Sequence, residues 1–129
     1  MIEMKPKMAD DTIKSILKNT LFDENTFTFE AAEGKSVIGA GAAKLYKDYA
    51  VLCEISFFED YKDFSLEYAM GKSLLNFIDR RGIKNVYANK KFDEKLLKSL
   101  RFTKNDCKKE EKYDFYLDLT GYFDVNCQC

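Results

Sequence analysis

The segment 65–82 most constrains what this chain can fold into. An apolar, strand-like run over 49–58 passes through the acidic loop Glu59-Asp60-Tyr61-Lys62-Asp63 into a long helical pattern. In that pattern Leu66, Met70, Leu74, Phe77 and Ile78 share one face, and Gly82 stands where a left-handed terminator belongs. A strand that feeds a long one-sided helix needs a sheet beneath that helix, so the unit is α/β. The start of the helix carries the small-residue stretch Ala69-Met70-Gly71-Lys72-Ser73. A helix start presents unpaired backbone N–H groups and the positive end of the macrodipole, which together suit a phosphate.

The remaining patterns agree with a mixed sheet flanked by helices. A short strand is predicted over 2–5, closed by Pro6, and a helix follows with Asp10 or Asp11 as cap and Ile13, Ile16 and Leu17 inward. Residues 26–32 alternate, with Phe27, Phe29 and Ala31 on one face. After the turn Glu33-Gly34-Lys35 comes a strand over 37–46 that is rich in small residues, and Lys47-Asp48 turns into the run 49–58. Beyond Gly82 the patterns predict a strand over 85–88, a helix over 93–100 and a last strand over 113–119. The order is β-α-β-β-β-α-β-α-β. A single domain over 1–122 is expected, with 123–129 as a tail ending in Cys127-Gln128-Cys129.

Composition narrows the chemistry. A net charge of −1 over 129 residues gives no basic excess with which to neutralise nucleic acid. No apolar run reaches the ~18 residues that span a bilayer, and 1–6 lacks the apolar core of a signal peptide, so a cytoplasmic protein with reduced cysteines is expected. Histidine is absent, which removes His-paired nucleophiles and His-ligated metals. Two thiols in the tail are too few for a zinc site, and Cys107 adds a third only if the ends meet. No metal is expected.

Gly71-Lys72-Ser73 matches the last three positions of a P-loop, but the glycine required five residues earlier is Leu66. Gly39-Ala40-Gly41 lies within a strand pattern and is no dinucleotide fingerprint; small residues there suit a bulge or a close approach. Gly71 itself has a purely structural reading, close packing of the helix.

With these elements the chain resembles the GNAT superfamily, which transfers acyl groups from acyl-CoA to amines. The resemblance rests on three strands feeding a long helix, on Gly71-Lys72-Ser73-Leu74-Leu75 with Arg81-Gly82-Ile83, and on Leu96-Leu97-Lys98-Ser99-Leu100-Arg101-Phe102. It implies a GNAT-like α/β fold and an acetyl-CoA-dependent N-acyltransferase acting on an unidentified amine. It further implies that backbone N–H groups of Ala69, Met70, Gly71, Lys72 and Ser73 hold the pyrophosphate, and that Ile55, Phe57 and Phe58 position the pantetheine arm. Glu54 would accept the amine proton through water, and a strand N–H would polarise the thioester carbonyl. One of Arg80, Arg81, Lys90 and Lys91 would meet the CoA 3′-phosphate. The chain departs from the family pattern at four positions. Leu66 replaces an Arg or Gln, Ala69 a Gly, Leu97 the Tyr that serves as general acid, and Arg101 the Gly before Phe102. Tyr61, Tyr68, Tyr87 and Tyr116 could replace that acid, although core and surface packing explains each more cheaply. Two alternatives stand beside the enzyme: a catalytically inactive GNAT-fold module that binds CoA or a protein, and a homodimeric scaffold paired through exposed Phe and Tyr.

Overall fold

The computed structural model describes residues 1–89, 91–106 and 112–124. Strand β1 (Ile2–Pro6) leads to a short helix α1 (Asp11–Ile16) and three strands, β2 (Thr26–Glu33), β3 (Ser36–Leu45) and β4 (Tyr49–Phe57). A 3-10 turn (Glu59–Tyr61) precedes the long helix α2 (Phe64–Arg80), and then come β5 (Asn85–Ala88), α3 (Glu94–Ser99), β6 (Thr103–Lys104) and β7 (Phe115–Asp118). The seven strands form one sheet in the order β1-β2-β3-β4-β5-β7-β6. Only β4 and β5 run parallel; the other neighbours are antiparallel. The expected mixed sheet flanked by helices is present. Strand β6 has no counterpart in the sequence reading, because its two residues are exposed and carry no alternation.

The two faces of the sheet bury different amounts. Helix α2 lays Met70, Leu74, Leu75 and Ile78 on one face, where Phe29, Leu52, Phe57, Val86 and Leu117 meet them in the main core. Helix α1 covers a smaller apolar set on the other face, in which Ile13, Ile16 and Leu17 pack on Ala40 and Ala42. Removing this apolar surface from water is the main stabilising term.

The small residues of β3 follow from this arrangement. A Cβ on Gly39 would stand 2.3 Å from the Phe57 ring, and one on Gly41 would stand 2.8 Å from Met70. They let β4 and α2 approach β3 closely. Gly71 has the same kind of role, since its Cβ would lie 2.7 Å from a Leu100 methyl where α2 meets the end of α3. At the end of α2, Gly82 takes φ +81 and donates to the Asp79 carbonyl, as the sequence predicts. Arg101 holds the equivalent left-handed position after α3 at φ 75, a conformation that a side chain makes costly.

Candidate active site

The unusual geometry lies between β4 and β5. Their pairing covers only Tyr49–Asn85, Ala50–Val86 and Val51–Tyr87. Beyond Val51, β4 continues to Phe57 while β5 stops at Ala88, so the two parallel strands part. On its other side β4 stays bonded to β3 as far as Phe58, whose amide donates to the Ile38 carbonyl at 2.9 Å. In an antiparallel pair the backbone groups of alternate residues point outward. With Phe58 bonded to β3, the N–H and C=O of Ile55 and Phe57 turn to the β5 side and line the wedge.

A bulge marks the place where the strands diverge. Ala42 pairs with Glu54 and Ala43 with Leu52, which leaves Cys53 as the extra residue of β4. Leu52 and Ile55 pack on the α2 side, whereas Cys53 packs on the α1 side. The bulge thereby directs Glu54 to the α1 side as well. There one carboxylate oxygen accepts from the Asn19 amide at 3.1 Å and the Thr20 hydroxyl at 2.8 Å. Glu54 thus ties the segment after α1 to β4 at the mouth of the wedge. Burial pushes the Cys53 thiol up to about 11, so it is no nucleophile near neutral pH.

The start of α2 differs from the arrangement implied by the resemblance. The helix begins at Phe64, so Ala69, Met70, Gly71, Lys72 and Ser73 sit about one and a half turns inside it, where N–H groups are bonded to carbonyls four residues back. Met70 and Gly71 are buried in the core. The Ser73 hydroxyl donates to the Ala69 carbonyl at 3.0 Å. Lys72 rests its ammonium over the rings of Tyr122 (4.5 Å), Phe123 (5.2 Å) and Tyr68 (5.8 Å). The backbone N–H groups of these five residues are used inside the helix.

The actual helix start is capped from within the chain. The Asp63 carboxylate accepts from the Ser65 amide at 2.7 Å, and its carbonyl accepts from the Leu66 and Glu67 amides at 3.0 Å each. Burial raises the Glu67 carboxyl, with Lys62 opposing and the charges of Asp93 and Asp63 adding to the rise. A phosphate arriving here would meet carboxylates.

The resemblance places a general acid at position 97. Leu97 is fully buried in the main core. Of the candidate tyrosines, Tyr61 donates to Glu33 at 3.2 Å, and that bond raises its pKa. Tyr116 donates to the Asn85 side chain at 2.6 Å. Tyr87 is buried against the rings of Tyr49, Tyr113 and Tyr116. Tyr122, which sequence reasoning passed over, donates to the Leu100 carbonyl, and burial lifts its pKa to about 12. Arg81 stacks on Phe77, with its guanidinium 4.0 Å from the ring centre. Lys90, Cys107, Cys127 and Cys129 lie outside the described residues.

Among the described residues no group of three or more metal-ligating side chains occurs, and no helix is long and apolar enough to cross a membrane. No protein-family model matches the chain, and no curated protein matches it by sequence at a significant level. Solved structures do match it in three dimensions. A Bacillus subtilis acetyltransferase in complex with CoA superposes with a TM-score of 0.70 at 11% identity, over 92% of this chain and 99% of that one. A GNAT family acetyltransferase from Elizabethkingia anophelis with acetyl-CoA bound gives 0.68 at 12% identity, over 92% and 98%. The fold is that of the GNAT acetyltransferases. The ribosomal-protein-S18-alanine N-acetyltransferase of Escherichia coli is similar in the same way, with a TM-score of 0.63 at 15% identity over 91% and 90% of the two chains.

Proposed function

We propose that this protein is an N-acyltransferase that takes an acyl group from acyl-CoA, acetyl-CoA being the simplest donor, and passes it to an amine. The β4–β5 wedge carries this reading. It offers outward N–H and C=O groups of Ile55 and Phe57 along one wall, and GNAT-fold proteins with CoA or acetyl-CoA bound share the architecture. An extended amide-bearing arm such as pantetheine would bond along that edge as an added strand does, with half-exposed Phe58 at the mouth.

In the reaction the amine nitrogen attacks the thioester carbonyl, the C–N bond forms and the C–S bond breaks. The CoA thiolate leaves, and the amine proton passes through water to Glu54. An N–H of the β4 edge would stabilise the oxyanion. The pyrophosphate would lie ahead of the first turn of α2, outside the Asp63 cap, and not at Ala69, Met70, Gly71, Lys72 and Ser73.

Two observations favour a second reading, that of a GNAT-fold module without catalysis. Asp63 caps the helix start that a pyrophosphate would use, and Leu97 is a core residue where the family has its acid. Calorimetric titration with acetyl-CoA, followed by a thiol-release assay against a panel of amines, separates the two. Saturable binding with amine-dependent release supports the enzyme; binding without release supports the module. No binding at millimolar acetyl-CoA would overturn both CoA-dependent readings.

A further inference from the structure

A second cleft, of about 570 Å³, opens at the edge of the sheet where β1 ends and β2 extends past it. It lies at the opposite end of the strands from the wedge, because Thr26 of β2 pairs with Lys44, and Lys44 pairs with Val51 at the start of β4. Its volume falls in the range of small-molecule sites. The floor is aromatic. Phe27 and Phe77 stack at 4.4 Å between ring centres, and Phe22 and Met8 complete the apolar wall.

The charges around this floor are unequally matched. Asp23 is held by Lys44 at 2.9 Å and by the Asn25 amide at 2.9 Å. Lys7 is paired with Glu30 at 3.1 Å and with Asp10 at 3.6 Å. Lys14 has no ion pair among the described residues, and its ammonium stands over the Phe22 ring at 5.6 Å. A ring-lined cleft with Lys14 as its cation in no ion pair among the described residues complements one class of ligand.

We propose that this cleft binds a small amphipathic carboxylate, an aromatic or branched apolar body with one anionic end. The body lies on Phe22 and Phe27, and the carboxylate faces Lys14. The neutral analogue of such a ligand retains the ring contacts and loses the charge contact, so affinity depends on the anion.

The test is an NMR titration of the full chain with phenylacetate, repeated with phenylacetamide and with the exposed charge-reversal variant Lys14→Glu. The expected result is saturable binding with the largest shifts at Phe22 and Phe27. Phenylacetamide should bind more weakly, and Lys14→Glu should weaken phenylacetate by about fivefold or more, as expected for an exposed pair lost and a repulsion gained. Absence of saturable binding, equal affinity for the amide, or an unchanged Kd in Lys14→Glu overturns the proposal. Acetyl-CoA titration at the wedge is a separate measurement, so failure at one site does not imply failure at the other.

Discussion

The wedge side of β4 and the start of α2 are close in the chain but differ in what builds them. The wedge is made by backbone alone: a short parallel pairing, a bulge at Cys53 and an outward-facing edge at Ile55 and Phe57. Such features need only a hydrophobic pattern and register, and they tolerate many side chains. The helix end depends on particular groups: Asp63 caps α2, Gly71 packs on Leu100 and Leu97 enters the core. The wedge therefore tolerates changes of side chain, whereas the helix end is set by particular residues.

The largest expected effect tests whether position 97 is a lost catalytic position or a core position. Leu97→Ala should lower unfolding free energy by about 3 kcal/mol in denaturant titration, as for a fully buried leucine. A near-neutral result would return position 97 to the wedge side of the comparison. Replacing Glu54 by Gln keeps an acceptor oxygen for Asn19 and Thr20, so stability should change little. If Glu54 is the base, turnover falls about a hundredfold with acyl-CoA affinity nearly constant; unchanged turnover removes Glu54 from that role.

Cys53 probes the point where the wedge opens. Its thiol titrates at about 11 in the fold against an ordinary 9.0. The folded state holds its proton more tightly than the unfolded chain, so this stabilisation is complete below pH 9.0 and is lost as pH rises towards about 11. Stability should fall over that interval by up to about 1.4 kcal/mol per pH unit from this group, and Cys53→Ala should remove that share of the slope. An identical pH profile in the variant would mean that the bulge is wetter than its packing against the α1 cluster suggests.

The smallest effect sharpens the contrast at α2. Asp63→Ser keeps a capping oxygen for the Ser65 amide and removes the negative charge. Acetyl-CoA should then bind about fivefold more tightly, the worth of one exposed charge near a phosphate. Unchanged affinity in calorimetry would place the pyrophosphate away from this helix start.

Much of the architecture was legible before any coordinates. The alternation of Phe27, Phe29 and Ala31, the one-sided set Met70, Leu74 and Ile78, and the stop at Gly82 are local patterns that backbone periodicity dictates. Element order and the mixed sheet follow from them. The start of α2 was harder to read. The apolar period first shows at Leu66, whereas the helix begins at Phe64 because Asp63 can cap it, and periodicity does not register a cap. Gly71 suited a phosphate, with close packing as the other reading, since a missing side chain carries no sign of what fills its place. The tertiary structure decided for packing by setting Leu100 against it.

Local sequence therefore determined which segments become helix and strand, because hydrophobic period and turn chemistry act over a few residues. Only the tertiary structure decided where β4 and β5 part, that Cys53 is the bulged residue, that Glu54 meets Asn19 and Thr20, and that Phe22, Phe27 and Phe77 share a cleft. Those relations join residues tens of positions apart. They depend on register and packing between elements, which no local pattern encodes.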